Sequence, residues 1–154
     1  MEENRQASTM LSVPKVVTLV SVEKAWILAR EGMQVYRVIV ADDEPEFRRW
    51  LRTTLEGSED FQLVGEASTG TEAVRLIPSL VPDLVIADMY MPEPDGLEVT
   101  RYVQHNFPDT KAILVSAHEE HVYERLAREE GALAFIPKAK FSLEALRQAL
   151  RGEA

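Results

Sequence analysis

From Tyr36 onward the chain alternates short apolar runs with segments of helical period, and this alternation most limits what it can fold into. Arg37–Ala41, Phe61–Ala67, Asp83–Ala87, Lys111–Ser116 and Ala132–Ile136 read as strands. Between them Phe47, Trp50, Leu51 and Leu55 share one helical face, and Val74 and Ile77 begin a second helix with Gly70 and Pro78 near its ends. Leu97, Thr100, Val103 and Phe107 mark a third after Gly96, and Val122 and Leu126 a fourth. Leu143, Leu146 and Leu150 mark the last, with Ser142 as its N-cap. Strands that alternate with helices predict an α/β fold, a doubly wound five-stranded parallel sheet flanked by five helices. In such sheets chemistry gathers at the carboxyl ends of the strands.

Composition narrows the function. The 154 residues allow one core, and 45% hydrophobic against 28% charged is an ordinary globular mixture. There is no cysteine, so disulfide frameworks, thiolate metal sites and cysteine nucleophiles are excluded. The formal charge of −9 argues against general polyanion binding, and no direct nucleic-acid contact is expected. Residues 1–32 are neutral, with Arg5, Lys15, Lys24 and Arg30 against Glu2, Glu3, Glu23 and Glu31, so the acidic excess lies in residues 33–154. No apolar run approaches the roughly 20 residues that span a membrane, and two early glutamates do not suit a secretory signal. A cytoplasmic location is expected.

Two parts are expected: an N-terminal extension, 1–34, and a folded domain, 35–154. Within the extension, Ser21 to Arg30 could form a short helix closed by Gly32, and Trp26 with Ile27 could serve docking or dimerisation. Loosely ordered sequence is the plainer reading.

The first expected strand runs into Asp42-Asp43-Glu44, and the third into Asp88. Carboxylates at neighbouring strand ends repel, so a bound cation or proton is favoured. A hard, oxygen-seeking ion such as Mg²⁺ fits this donor set. Capping of the helix that Pro45 starts, by Asp43 or Glu44, is the structural alternative. The fourth strand ends at Ser116 and the fifth at Pro137-Lys138, which puts a hydroxyl and an ammonium at the same sheet edge. Those groups suit the oxygens of a bound phosphoryl group.

The runs Val38-Ile39-Val40-Ala41-Asp42-Asp43-Glu44, Asp88-Met89-Tyr90-Met91-Pro92-Glu93-Pro94-Asp95-Gly96, Val115-Ser116-Ala117 and Phe135-Ile136-Pro137-Lys138 resemble, in order, the signatures of bacterial response-regulator receiver domains. The resemblance covers about residues 35–151 and is nearest to receivers of the LuxR and FixJ type. It implies a flavodoxin-like, chemotaxis-regulator-like fold with strand order 2-1-3-4-5. It also implies phosphorylation of Asp88 by a sensor histidine kinase, with Asp43, Asp88 and the Tyr90 carbonyl binding Mg²⁺ and Asp42 helping through water. Lys138 would pair with the phosphoryl oxygens. Ser116 and Phe135 would form the switch, which alters the surface of the fourth helix, fifth strand and fifth helix for a downstream protein. A homodimer is compatible with this. Tyr90 and His118, two residues beyond Asp88 and Ser116, are expected to tune the phosphate's lifetime. With the chain stopping at Ala154, output is expected through protein contacts.

Other signals carry less. His118-Glu119-Glu120-His121 has its histidines three apart, not the four of a metalloprotease helix, and no P-loop or dinucleotide fingerprint occurs. Two rivals stand beside the receiver reading. One is an aspartyl-phosphate phosphohydrolase of the haloacid-dehalogenase type, which needs a second Asp where this chain has Tyr90. The other is a receiver-like interaction module that never uses phosphate.

Overall fold

The computed structural model describes residues 34–153, together with Glu23, Trp26 and Gly32. The chain divides into two compact units, Met1–Val35 and Tyr36–Ala154. In the first, Glu23 and Trp26 are helical, and the remainder of the short helix expected at Ser21–Arg30 lies outside the described residues.

The second unit runs β1 (Tyr36–Ala41), α1 (Pro45–Glu56), β2 (Phe61–Ala67), α2 (Gly70–Leu80), β3 (Leu84–Asp88), α3 (Gly96–Asn106), β4 (Lys111–Ser116), α4 (His121–Glu129), β5 (Ala134–Pro137), a single 3₁₀ turn (Lys138–Lys140) and α5 (Leu143–Leu150). The strands form one sheet in the order β2-β1-β3-β4-β5, with every pairing parallel. Successive residues of a strand face opposite ways, and both faces here are covered. Val38 and Val40 of β1 therefore join Leu51 and Leu55 of α1 and Leu146 of α5 on one side. Ile39 and Ala41 join Ile77 of α2, Val99 and Val103 of α3 and Ala127 of α4 on the other. Two-sided coverage explains why Leu84–Asp88 is buried at every position.

The expected elements differ from these in two instructive ways. β5 begins at Ala134, two residues later than its apolar run, because Leu133 is exposed beside a turn in which Gly131 adopts φ +96°. In α4 the inward residues are Tyr123 and Ala127, while Val122 is 41% exposed. The pair Val122 and Leu126, which marked that helix in the sequence, does not include its one fully buried residue, Ala127. Among the helix ends, Ser142 Oγ accepts from Ala145 N at 3.0 Å, Asp95 Oδ1 from Glu98 N at 2.9 Å and Thr69 Oγ1 from Glu72 N at 3.1 Å, each satisfying an orphan amide of the first turn.

Candidate functional site at the carboxyl edge of the sheet

β1 and β3 are neighbours in register, with Ala41 opposite Ala87, so the residues that follow each strand emerge side by side. That brings together Asp42, Asp43 and Asp88, each offering a carboxylate oxygen, with all three oxygens within 4.8 Å of one another. Asp42 and Asp88 are buried and Asp43 is exposed. Asp42 Oδ1 accepts the Glu44 amide at 2.8 Å. Its Oδ2 is buried and lacks an aligned hydrogen-bond donor, although Lys138 Nζ lies 2.8 Å away as an ion-pair partner. Neither Asp43 nor Glu44 caps α1 with its side chain. Glu44, the N-cap residue by backbone conformation, instead accepts from Lys138 Nζ at 2.6 Å. The capping alternative is thus not realised, because the acidic side chains turn toward the sheet edge.

Lys138 follows β5, two strands away from β3, and its ammonium crosses to the acidic cluster, donating to Asp88 Oδ2 at 3.2 Å. The Phe47 ring lies under it, 4.6 Å from ring centre to Nζ. Burial alone would lower this ammonium's pKa, but Asp42, Glu44 and Asp88 together outweigh burial and hold it above its ordinary value. Asp88 goes the other way. Desolvation first and the Asp42 charge second push its carboxyl up to about 7, against the opposing pull of Lys138 and the Tyr90 amide, which donates to Oδ1 at 3.2 Å. Ser116 ends β4, fully buried, and its Oγ accepts the His118 amide at 3.1 Å. Phe135 is half-buried against the face covered by α2, α3 and α4.

Gly96 is dictated by the end of β3 itself, since a Cβ there would collide with the Asp88 carbonyl oxygen and the backbone of Met89. Tyr90 is 49% exposed and meets His118 and Tyr123 edge to face, at 5.8 and 5.7 Å between ring centres. The His118 and Tyr123 rings are 5.9 Å apart. Hydrogen bonding with Tyr123 is the first of the causes that push the Tyr90 phenol up to about 12. Sequence reasoning found Tyr90 and His118 but missed Tyr123 and Glu44. Tyr123 carries no motif and joins the group only because α4 begins beside the loop after β4. Glu44 was weighed only as an alternative cap of α1 beside Asp43, and nothing in its spacing shows that it reaches Lys138.

The family model for the response regulator receiver domain matches residues 38–151. The chain belongs to the response-regulator receiver family. The transcriptional regulatory protein LiaR of Bacillus subtilis is 35% identical over 122 residues, covering 76% of this chain and 57% of that protein. The response regulator GacA of Pseudomonas aeruginosa is 34% identical over 115 residues, covering 75% of this chain and 53% of that protein. The receiver thus spans about half the length of the curated relatives it matches. Among solved structures, the signal receiver domain of NarL from Mycobacterium tuberculosis superposes with a TM-score of 0.69 at 33% identity, covering 76% of this chain and 98% of that one. The flavodoxin-like strand order expected from the resemblance is the one observed. The function common to the family is to take part in two-component signalling as the domain that a kinase phosphorylates.

The acidic pocket fits the Mg²⁺ that receivers bind. Its donors are all oxygen, and two of its carboxylates are buried side by side with only the Lys138 ammonium between them, so a hard divalent cation would relieve the repulsion that remains. No other group of three or more potential metal ligands is found among the described residues, and none involves His118 and His121. Among those residues no helix is long and apolar enough to cross a membrane.

Proposed function

We propose that this receiver accepts a phosphoryl group on Asp88 from a phosphohistidine of a sensor kinase. The observation that carries the reading is the convergence of Asp88 with Lys138 and the Asp42–Asp43 pair at one sheet edge. An Asp88 carboxylate oxygen attacks phosphorus as the bond to the donor's imidazole nitrogen breaks, and that nitrogen keeps the electron pair. Asp43, Asp88 and the Tyr90 carbonyl would hold Mg²⁺, with Asp42 assisting through water, and the bound ion would supply positive charge to the transferred oxygens. Lys138 leaves its carboxylate partners for a phosphoryl oxygen. Ser116 Oγ supplies a further hydrogen bond, and Phe135 repacks into the space this opens.

The output surface is α4, β5 and α5, where Val122 of α4 is already exposed. The relatives are transcriptional regulators, so a DNA-binding partner domain is compatible with the reading, and the receiver itself then acts on DNA only through protein contacts. The domain slowly hydrolyses its own acyl phosphate and is otherwise not an enzyme, and it works in the cytoplasm. Tyr90 and His118 tune the lifetime of the phosphate.

Incubation with Mg²⁺ and acetyl phosphate, followed by intact-mass measurement, tests the assignment. The wild type is expected to gain one phosphoryl group and Asp88→Asn none. Equal gain by both would remove Asp88 from the role, and no gain by either would favour a phosphate-independent interaction module.

A further inference from the structure

Tyr123 stands outside every motif in the sequence, yet it completes a three-ring cluster. Tyr90 is tethered at its backbone to the acceptor, its amide donating to Asp88 Oδ1. His118 is tethered in the same way to the switch hydroxyl, its amide donating to Ser116 Oγ. Both residues lie in loops leaving adjacent strands, β3 and β4. Tyr123 is in the first turn of α4, and its ring meets both others, perpendicular to Tyr90 and tilted at 49° to His118. Edge-to-face packing is directional, so Tyr123 fixes where the half-exposed Tyr90 ring can stand. The three rings therefore join the acceptor loop, the switch loop and the first turn of α4 in one contact.

We infer that Tyr123 is a positioning residue that holds the Tyr90 ring beside the acceptor, so that the lifetime of the acyl phosphate depends on where the first turn of α4 sits. This rests on Asp88 being the phosphoacceptor. With the clamp closed, Tyr90 restricts the approach of water to phosphorus, and hydrolysis is slow. If α4 shifts, Tyr90 is released and water attacks more readily, breaking the bond between phosphorus and the carboxylate oxygen and leaving inorganic phosphate. Any protein that binds α4 consequently changes the lifetime as well as reading the state.

The test uses the full chain phosphorylated with acetyl phosphate and Mg²⁺, freed of donor, and followed by intact mass. Tyr123→Phe keeps the ring and the helix and removes the hydroxyl, whereas Tyr123→Ala removes the ring. The phosphate should decay about twofold faster in Tyr123→Phe and about fivefold faster in Tyr123→Ala and in Tyr90→Ala. The double variant Tyr90→Ala/Tyr123→Ala should decay no faster than Tyr90→Ala alone, because one residue acts through the other. Initial rates of phosphoryl uptake should stay within about twofold in Tyr123→Phe and Tyr123→Ala, which a general loosening of the fold would not allow. Decay in Tyr123→Ala equal to wild type, or effects of the two substitutions that multiply, would overturn the positioning role and leave Asp88 as acceptor. Failure of the wild type to take up phosphate would overturn both.

Discussion

Asp88 and Lys138 are set against each other by their surroundings. Because burial and the Asp42 charge hold the folded Asp88 carboxyl up near 7, against an ordinary value of 3.8, the native state binds this proton more tightly than the unfolded chain does. Stability from this group is thus greatest below about pH 4, falls as pH rises toward 7, and stays low above it. Asp88→Asn removes the ionisation and is expected to stabilise the metal-free protein by about 2 kcal/mol near pH 8 and by much less near pH 4, because the amide carries no charge for burial and Asp42 to oppose. Urea denaturation at the two pH values checks this, and equal gains at both would refute it. Lys138 is the counterweight, with its ammonium within 3.2 Å of Asp42, Glu44 and Asp88 oxygens. Lys138→Met leaves two buried carboxylates facing each other, and a loss of about 3 kcal/mol is expected in thermal denaturation at neutral pH. Mg²⁺ should restore most of that stability, while phosphoryl uptake stays depressed by about 100-fold because no ammonium meets the transferred oxygens.

At the scale of elements, the loop between β3 and α3 is the tightest part of the site. Gly96→Ala drives a methyl group into the Asp88 carbonyl and the Met89 backbone, neither of which can yield as a side chain would. A loss of about 2 kcal/mol in chemical denaturation is expected, with slower phosphorylation, whereas Gly57→Ala, where a Cβ meets only ordinary van der Waals contacts, should leave phosphorylation unchanged. The strands and helices were legible because sheet residues covered on both faces must be apolar and because Ser142 caps α5 through its own hydroxyl. The acidic residues were legible because they follow strands directly. What could not be read was contact made across the fold. Glu44 reaches a lysine 94 positions away, and Tyr123 meets Tyr90 only after α4 has docked. The inward face of α4 was not read for a related reason, since Val122 is a stronger apolar signal than Ala127 although Ala127 is the residue that packs against the sheet.

For the whole molecule, the hydrophobic clusters and the acidic pocket found among the described residues lie within Tyr36–Ala154. A chain lacking residues 1–33 is therefore expected to unfold cooperatively and to take up phosphate from acetyl phosphate at the rate of the full chain. A tenfold slower uptake would place part of the machinery in the extension. The central claim concerns one bond, between phosphorus and a carboxylate oxygen of Asp88. It is tested most directly by phosphorylating the full chain with phosphoramidate, a donor whose bond to phosphorus is made by nitrogen as in phosphohistidine, and reducing the product with borohydride. An acyl phosphate on aspartate is converted to homoserine, which peptide mass spectrometry locates. The account predicts homoserine at position 88 alone, dependent on Mg²⁺. Homoserine at Asp42 or Asp43, or a phosphoryl group on a histidine with Asp88 untouched, would contradict it.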